Sequence, residues 1–118
     1  MTDLVACLLT GKGTWTYVMQ LMQKEPWEKV FLVTNAFGRD NFHPPRQAEL
    51  ILIEENQTLP DMTAEIVKQL KEKMSSTDLA VNLISGTGKE HMAVLGAAFK
   101  AGLSVRLVAL DETGVIEV

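Results

Sequence analysis

Only one cysteine, Cys7, stands in the chain, and only two histidines, His43 and His91. No disulfide can therefore form within it, and a closed structural zinc site, which takes four Cys or His ligands, is excluded. Cys7 lies inside the apolar run Leu4–Leu9, where a thiol packs as a small hydrophobe, and a reducing cytoplasm fits. Basic residues are outnumbered, 11 to 15, for a net charge of −4. That lacks the basic face that long nucleic acid requires, so DNA is not an expected partner. No apolar run approaches the ~20 residues of a membrane span. The N-terminal Met1-Thr-Asp3 carries an acid where a secretory signal carries lysine or arginine. No membrane partner and a cytoplasmic location are the expectation. Repeats, low-complexity tracts and linkers are also missing, so residues 1–118 read as a single domain.

Short apolar runs are what the chain has in abundance. Leu4–Leu9, Val30–Thr34, Leu50–Ile53, Leu79–Ile84 and Val105–Leu110 are bounded by turn residues and read as strands. Several are apolar at nearly every position, the mark of strands covered on both faces in a parallel sheet. Asp111-Glu-Thr-Gly114 followed by Val115–Val118 reads as a hairpin into an edge strand. Between the runs lie helical stripes: Trp15, Val18, Met19, Met22, then Met62, Ile66, Leu70, Met74 at i, i+4 spacing. A third helix, rich in small residues, covers Met92 to Ala101, with Gly102 placed to stop it. The link from Asn35 to Ala48 is short and holds Pro44-Pro45, so an irregular loop or a single helical turn is expected there. The alternation predicts an α/β fold: a Rossmann-like three-layer sandwich, its sheet mainly parallel with a C-terminal antiparallel edge hairpin.

Two glycine-bearing turns stand out. Val81-Asn-Leu-Ile-Ser-Gly-Thr-Gly-Lys-Glu-His91 runs from strand through turn to helix, and Thr10-Gly-Lys-Gly-Thr-Trp15 follows the first run. Strand, glycine turn and helix together aim backbone N–H groups at an anion. In doubly wound sheets ligands bind outside the carboxyl ends of strands where strand order reverses. If the first and fourth strands are neighbours, both turns open into one crevice. Gly11, Gly13, Gly86 and Gly88 would let the backbone approach a ligand. Thr10, Thr14, Ser85 and Thr87 would add hydroxyls, and Lys12 and Lys89 charge. The acids Glu49, Glu54, Glu55, Asp61 and Glu65 are read as lying elsewhere. Asn35, ending the second strand, belongs to the same candidate rim. Trp15 either stacks on a base or packs on the core, the commoner role of a helix-end tryptophan. His91 either donates to an anion or faces solvent in the first helical turn.

Familiar motifs fail. A Walker A loop needs G-x-x-x-x-G-K-[ST], but Gly88-Lys89 is followed by Glu90 and preceded at the required spacing by Leu83. The dinucleotide fingerprint G-x-G-x-x-G lacks its third glycine in Gly11-Lys-Gly13-Thr-Trp-Thr16, and Asn35 stands where the ribose-binding acid is expected. No G-x-S-x-G elbow is present. A small nucleotide-using enzyme, or a regulatory subunit whose glycine turns only tighten strand-to-helix corners, stays open as an alternative.

Taken together, the two turns resemble those of CARF domains, the CRISPR-associated Rossmann-fold ligand sensors. The resemblance is carried by Leu4-Val-Ala-Cys-Leu-Leu-Thr-Gly-Lys-Gly-Thr-Trp15 and Asn82-Leu-Ile-Ser-Gly-Thr-Gly-Lys89, with the helix end Ala97-Ala-Phe-Lys-Ala-Gly-Leu103 and the strand after it. The order Ser-Gly-Thr-Gly-Lys departs from the Gly-Gly-Thr-Lys-like run more typical of the family. The resemblance implies a standalone homodimer that binds a cyclic oligoadenylate across its two-fold axis in type III CRISPR antiviral signalling. It also implies possible ring-nuclease chemistry without metal or cofactor, in which a substrate ribose 2′-OH attacks its adjacent phosphate. On that reading Lys89 and, more loosely, Thr10 map to catalytic positions. Thr10, Gly11, Lys12, Gly13, Thr14, Trp15, Asn35, Ser85, Gly86, Thr87, Gly88, Lys89 and His91 would contact the ligand.

Overall fold

The structure is a computed structural model that describes residues 2–9 and 12–118, Lys12 by its backbone alone. Its elements run β1 (Asp3–Leu8), a 3-10 turn (Lys12–Thr14), α1 (Trp15–Lys24), β2 (Val30–Thr34), α2 (Ala36–Asn41), β3 (Glu49–Leu52), α3 (Leu59–Lys73), β4 (Asp78–Asn82), α4 (Gly88–Lys100), β5 (Ser104–Asp111) and β6 (Gly114–Glu117). One six-stranded sheet has the order β3-β2-β1-β4-β5-β6. Every pair is parallel except β5 with β6. Strand order thus reverses between β1 and β4, the point at which this architecture leaves a crevice.

The apolar runs fold this way because both faces of the central strands are covered. All six residues of β1 are buried, and alternation divides them between two layers. Leu4, Ala6 and Leu8 pack with α1 through Val18, Leu21 and Met22, and with Trp27 and Phe42. Val5 and Cys7 pack with α3 and α4 through Met62, Ile66, Leu70, Ala93, Val94 and Ala97. Right-handed crossovers place α1 and α2 on one side and α3 and α4 on the other. The short link after β2 forms the six-residue helix α2, capped by the Asn35 side chain, which accepts from the Gly38 N–H at 2.9 Å. Helix α4 begins at Gly88, one turn earlier than the apolar pattern predicts. It ends in a Schellman turn: the Gly102 N–H donates to Phe99 O and the Leu103 N–H to Ala98 O, with Gly102 at φ +73°. In α1 the inward stripe is Trp15, Val18, Leu21 and Met22, while Met19 is only partly buried. Among the described residues no helix is long and apolar enough to cross a membrane.

The amino-terminal rim of the sheet is closed by polar bonds. The buried Asp3 carboxylate accepts from the Lys29 N–H at 3.0 Å, the Ser75 N–H at 2.9 Å and the Ser75 hydroxyl at 2.9 Å. The Thr2 hydroxyl and the Arg106 guanidinium hold the Asp78 carboxyl below the usual carboxylate range.

Candidate functional site

Because β1 and β4 are parallel neighbours, the chain leaves both at the same, carboxyl-terminal rim of the sheet. The segments after them are joined directly: the Leu9 N–H donates to Ser85 Oγ at 3.0 Å, and Ser85 is buried. The Ser85 hydroxyl therefore serves as a staple between the end of the β1 segment and the second turn. Thr10 and Gly11 lie outside the described residues, as does the Lys12 side chain, so the first turn is seen through Leu9, the Lys12 backbone and residues 13–15.

The second turn is built around Gly86, whose φ of +99° disfavours any side chain. A Cβ there would also lie 3.1 Å from Leu9 Cδ1 and 3.4 Å from His91 Nε2. Gly88 opens α4, and a Cβ on it or on Gly13 would meet nothing within 4 Å. Internal packing does not require glycine at either position, and both leave the backbone accessible from the rim. The first N–H groups of α4 have no acceptor within the helix, and they face this rim with the positive end of the helix dipole.

Most of the polar side chains proposed from sequence are already at work within the protein. The Glu90 carboxylate accepts from the Thr87 N–H at 3.1 Å and the Thr87 hydroxyl at 2.6 Å, closing a capping arrangement at the start of α4. The half-buried His91 turns back: its Nε2 lies 2.8 Å from Ser85 O, and since a carbonyl only accepts, Nε2 carries the proton. His91 thus commits one ring nitrogen to the backbone of its own turn. Asn82 is buried, its amide donating to Val108 O at 2.9 Å. Trp15 packs on the core. It is buried, its indole N–H donates to Leu9 O at 3.2 Å, and its ring meets Phe42 edge-on at 5.6 Å and Phe37 at 5.9 Å. The base-stacking role considered for Trp15 is corrected accordingly, because the ring is enclosed by these contacts. Thr14 holds the N-cap position of α1.

A cavity of about 270 Å³ lies beside the second turn, lined by Leu9, Asn35, Ile53, Glu55, Met62, Thr87, Lys89 and Glu90. It gathers the carboxyl ends of β1, β2 and β3 under the first turn of α4. Glu55 was not expected here, since the sequence alone sets Glu54 and Glu55 apart from the glycine turns. The third parallel strand also ends at this rim, and that is the signal that would have found Glu55. Lys89 donates from Nζ to Glu55 O at 2.9 Å and also to Gln57 O. It makes no ion pair among the described residues. The charged lining is therefore one ammonium and two carboxylates, Glu55 and Glu90. Among the described residues no group of His, Cys, Asp and Glu side chains converges as a metal site requires. A larger cavity, about 420 Å³, lies near the opposite end of the sheet beside Trp27, Arg106 and Glu117. It is remote from both glycine turns and its Arg106 is already paired with Asp78.

No protein-family model matches the chain, and no curated protein matches it in sequence. Among solved structures it is similar to the crystal structure of UDP-N-acetylglucosamine 2-epimerase, with a TM-score of 0.51 and 20% identity over 91% of this chain. The chain spans 32% of the length of that enzyme. The likeness is one of fold: the sheet is Rossmann-like, mainly parallel, with an antiparallel edge pair and helices on both faces.

Proposed function

We propose that the protein binds a cyclic oligoadenylate at the carboxyl-terminal rim of its sheet, as a CARF-like ligand sensor. The observation that carries this reading is the Leu9–Ser85 staple at the switch point, which ties the chain leaving β1 to the second glycine turn. Phosphates would sit beside Gly86 and Gly88, where the α4 dipole favours negative charge, the Thr87 N–H between them being taken by the Glu90 carboxylate. The cavity under Lys89 would take one base or sugar. At about 270 Å³ it falls below the roughly 300–1,000 Å³ of a self-sufficient ligand pocket, so one subunit would hold only part of such a ligand.

A second copy would supply the rest. On the solvent side of α4, Met92 and Phe99 are 65% and 66% exposed. Strand alternation puts Leu107 and Ala109 of β5 on the same layer, and the hairpin register sets Ile116 beside Ala109 and Val118 beside Leu107. Ile84, Leu107 and Val118 are 49%, 39% and 81% exposed, and exposed apolar side chains that gather on one face mark an interaction surface. None of the 15 acidic residues of this net-negative chain is among them. A homodimer formed here would bring two α4 N-termini to one shared rim, matching a two-fold symmetric ligand. Ring opening would form a bond from the 2′-oxygen to phosphorus as the bond to the 5′-oxygen breaks. The 2′-OH would lose its proton and the leaving 5′-oxygen would gain one. Lys89 would stabilise the phosphoryl oxygens; Thr10 lies outside the described residues.

The test is titration with cyclic tetra-adenylate. The melting temperature should rise by roughly 10 °C at a hundredfold excess over Kd. Linear products formed in the presence of a metal chelator would add the nuclease activity. No shift at any ligand concentration would reject the reading. The resemblance in fold to a UDP-sugar enzyme favours, as a second reading, a mononucleotide-using enzyme; ATP, NAD and UDP-sugar titrations under the same conditions separate the two.

A further inference from the structure

Lys89 occupies a place that works against it. It is in the first turn of α4, where the helix dipole disfavours a cation. No carboxylate pairs with it among the described residues. Its ammonium reaches instead to Glu55 O and Gln57 O, on the turn between β3 and α3. That turn is closed on itself. The Glu54 N–H donates to Gln57 Oε1 at 2.8 Å and the Gln57 N–H to Glu54 O at 3.1 Å. It is anchored firmly at both ends. Ile53 is buried and its N–H donates to Thr34 O at 2.9 Å, while Thr58 caps α3 by accepting from the Asp61 N–H at 3.2 Å. Between those anchors Glu54, Glu55 and Asn56 are exposed. Glu55 also lines the cavity. The cation that a phosphate would seek therefore holds an acidic turn across the mouth of the site.

Resting on the reading of this rim as an anion site, we propose that Lys89 is a ligand-operated latch. Without ligand it fastens the Glu54–Gln57 turn over the cavity, and the Glu55 carboxylate there repels phosphate. A phosphate oxygen is a stronger partner for an ammonium than a peptide carbonyl is. A bound phosphodiester takes Lys89 from Glu55 O and Gln57 O, and the turn moves away as one body and carries Glu55 off the mouth. Coupling of this kind is reciprocal, so whatever loosens the turn also tightens binding. The turn becomes the part of the surface that changes when the site fills.

Hydrogen exchange by mass spectrometry on the intact protein, with cyclic tetra-adenylate as probe and calorimetry alongside, tests the latch. Amides of residues 54–58 should exchange at least about fivefold faster with ligand, while Met62–Leu70 of α3 stays protected. Lys89→Met should show the fast exchange of 54–58 without ligand and no further change with it. Gln57→Ala, which removes the clasp within the turn and keeps the ammonium, should bind more tightly than the native chain. Glu55→Gln should tighten binding about threefold at low salt, and less at high salt. Binding with unchanged or slower exchange at 54–58 overturns the latch and leaves the site reading standing. Weaker binding by Gln57→Ala overturns it as well. Absence of calorimetric binding by the native chain overturns the site reading and the latch together.

Discussion

Cys7 is fully enclosed in the layer between the sheet and helices α3 and α4. Burial pushes its thiol from an ordinary value of 9.0 up to about 12, and the Glu90 carboxylate adds to the shift. The folded protein therefore keeps the neutral thiol, which is inert. An alkylating reagent at pH 8 should leave Cys7 unmodified in the native state and label it only on unfolding, as intact mass reads directly. A raised folded pKa favours folding fully below the unfolded value and loses that contribution as pH climbs from 9 towards 12. Midpoints of denaturation should fall across that window, and Cys7→Ala should flatten the fall; a slope unchanged by the substitution would contradict the assignment. At this scale the sequence was partly legible. The apolar setting of Cys7 follows from its neighbours in the chain, and Trp15 could be weighed as a core residue before its contacts were known. The partners of Lys89 and His91 could not, because each depends on carbonyls that the fold brings into place. For Lys89 they lie more than thirty residues away along the chain.

Helix α2 shows how closely an element can be seated by one residue. The Thr34 hydroxyl donates to Leu8 O at 2.6 Å across the β1–β2 junction, and Gly38 sits on top of that bond. A Cβ at Gly38 would stand 1.9 Å from Thr34 Oγ1 and 3.2 Å from Leu8 O. Since Thr34 is buried and β-branched it cannot swing aside freely. Gly38→Ala should destabilise by about 1–3 kcal/mol, and equilibrium urea unfolding measures it; a loss within error of zero would show that α2 shifts outward without cost. The sequence marks this stretch only as a short, proline-bearing link, since six helical residues carry too little periodicity to be distinguished from a loop. The longer elements were legible from apolar runs. Their ends were less so: β4 stops at Asn82, not Ile84, because the Asn82 side chain turns to β5 and its Oδ1 accepts from the Ile84 N–H at 3.3 Å.

At the scale of the molecule, the strand order decides everything about the site. Had β1 and β4 been apart, the two glycine turns would have opened on separate surfaces. The sequence could state that condition, and the pairing of Leu4 with Ala80 and Val5 with Val81 meets it. What no local pattern announces is the charge balance at the rim, where Glu55 and Glu90 share the cavity lining with Lys89, or the apolar face left by α4 and the β5–β6 hairpin. The latter bears on assembly. Sedimentation should find a dimer that Phe99→Asp converts to a monomer, and a native monomer at all concentrations would remove the shared-ligand geometry. The central claim is that phosphate is gripped where the turns after β1 and β4 meet. Amide chemical-shift mapping of the isotopically labelled protein during titration with cyclic tetra-adenylate tests it most directly. The account predicts that the largest changes fall on Leu9, Gly13, Gly86, Thr87, Gly88 and Lys89. Changes centred on Trp27, Arg106 and Glu117 at the other end of the sheet, or none at all, would contradict it.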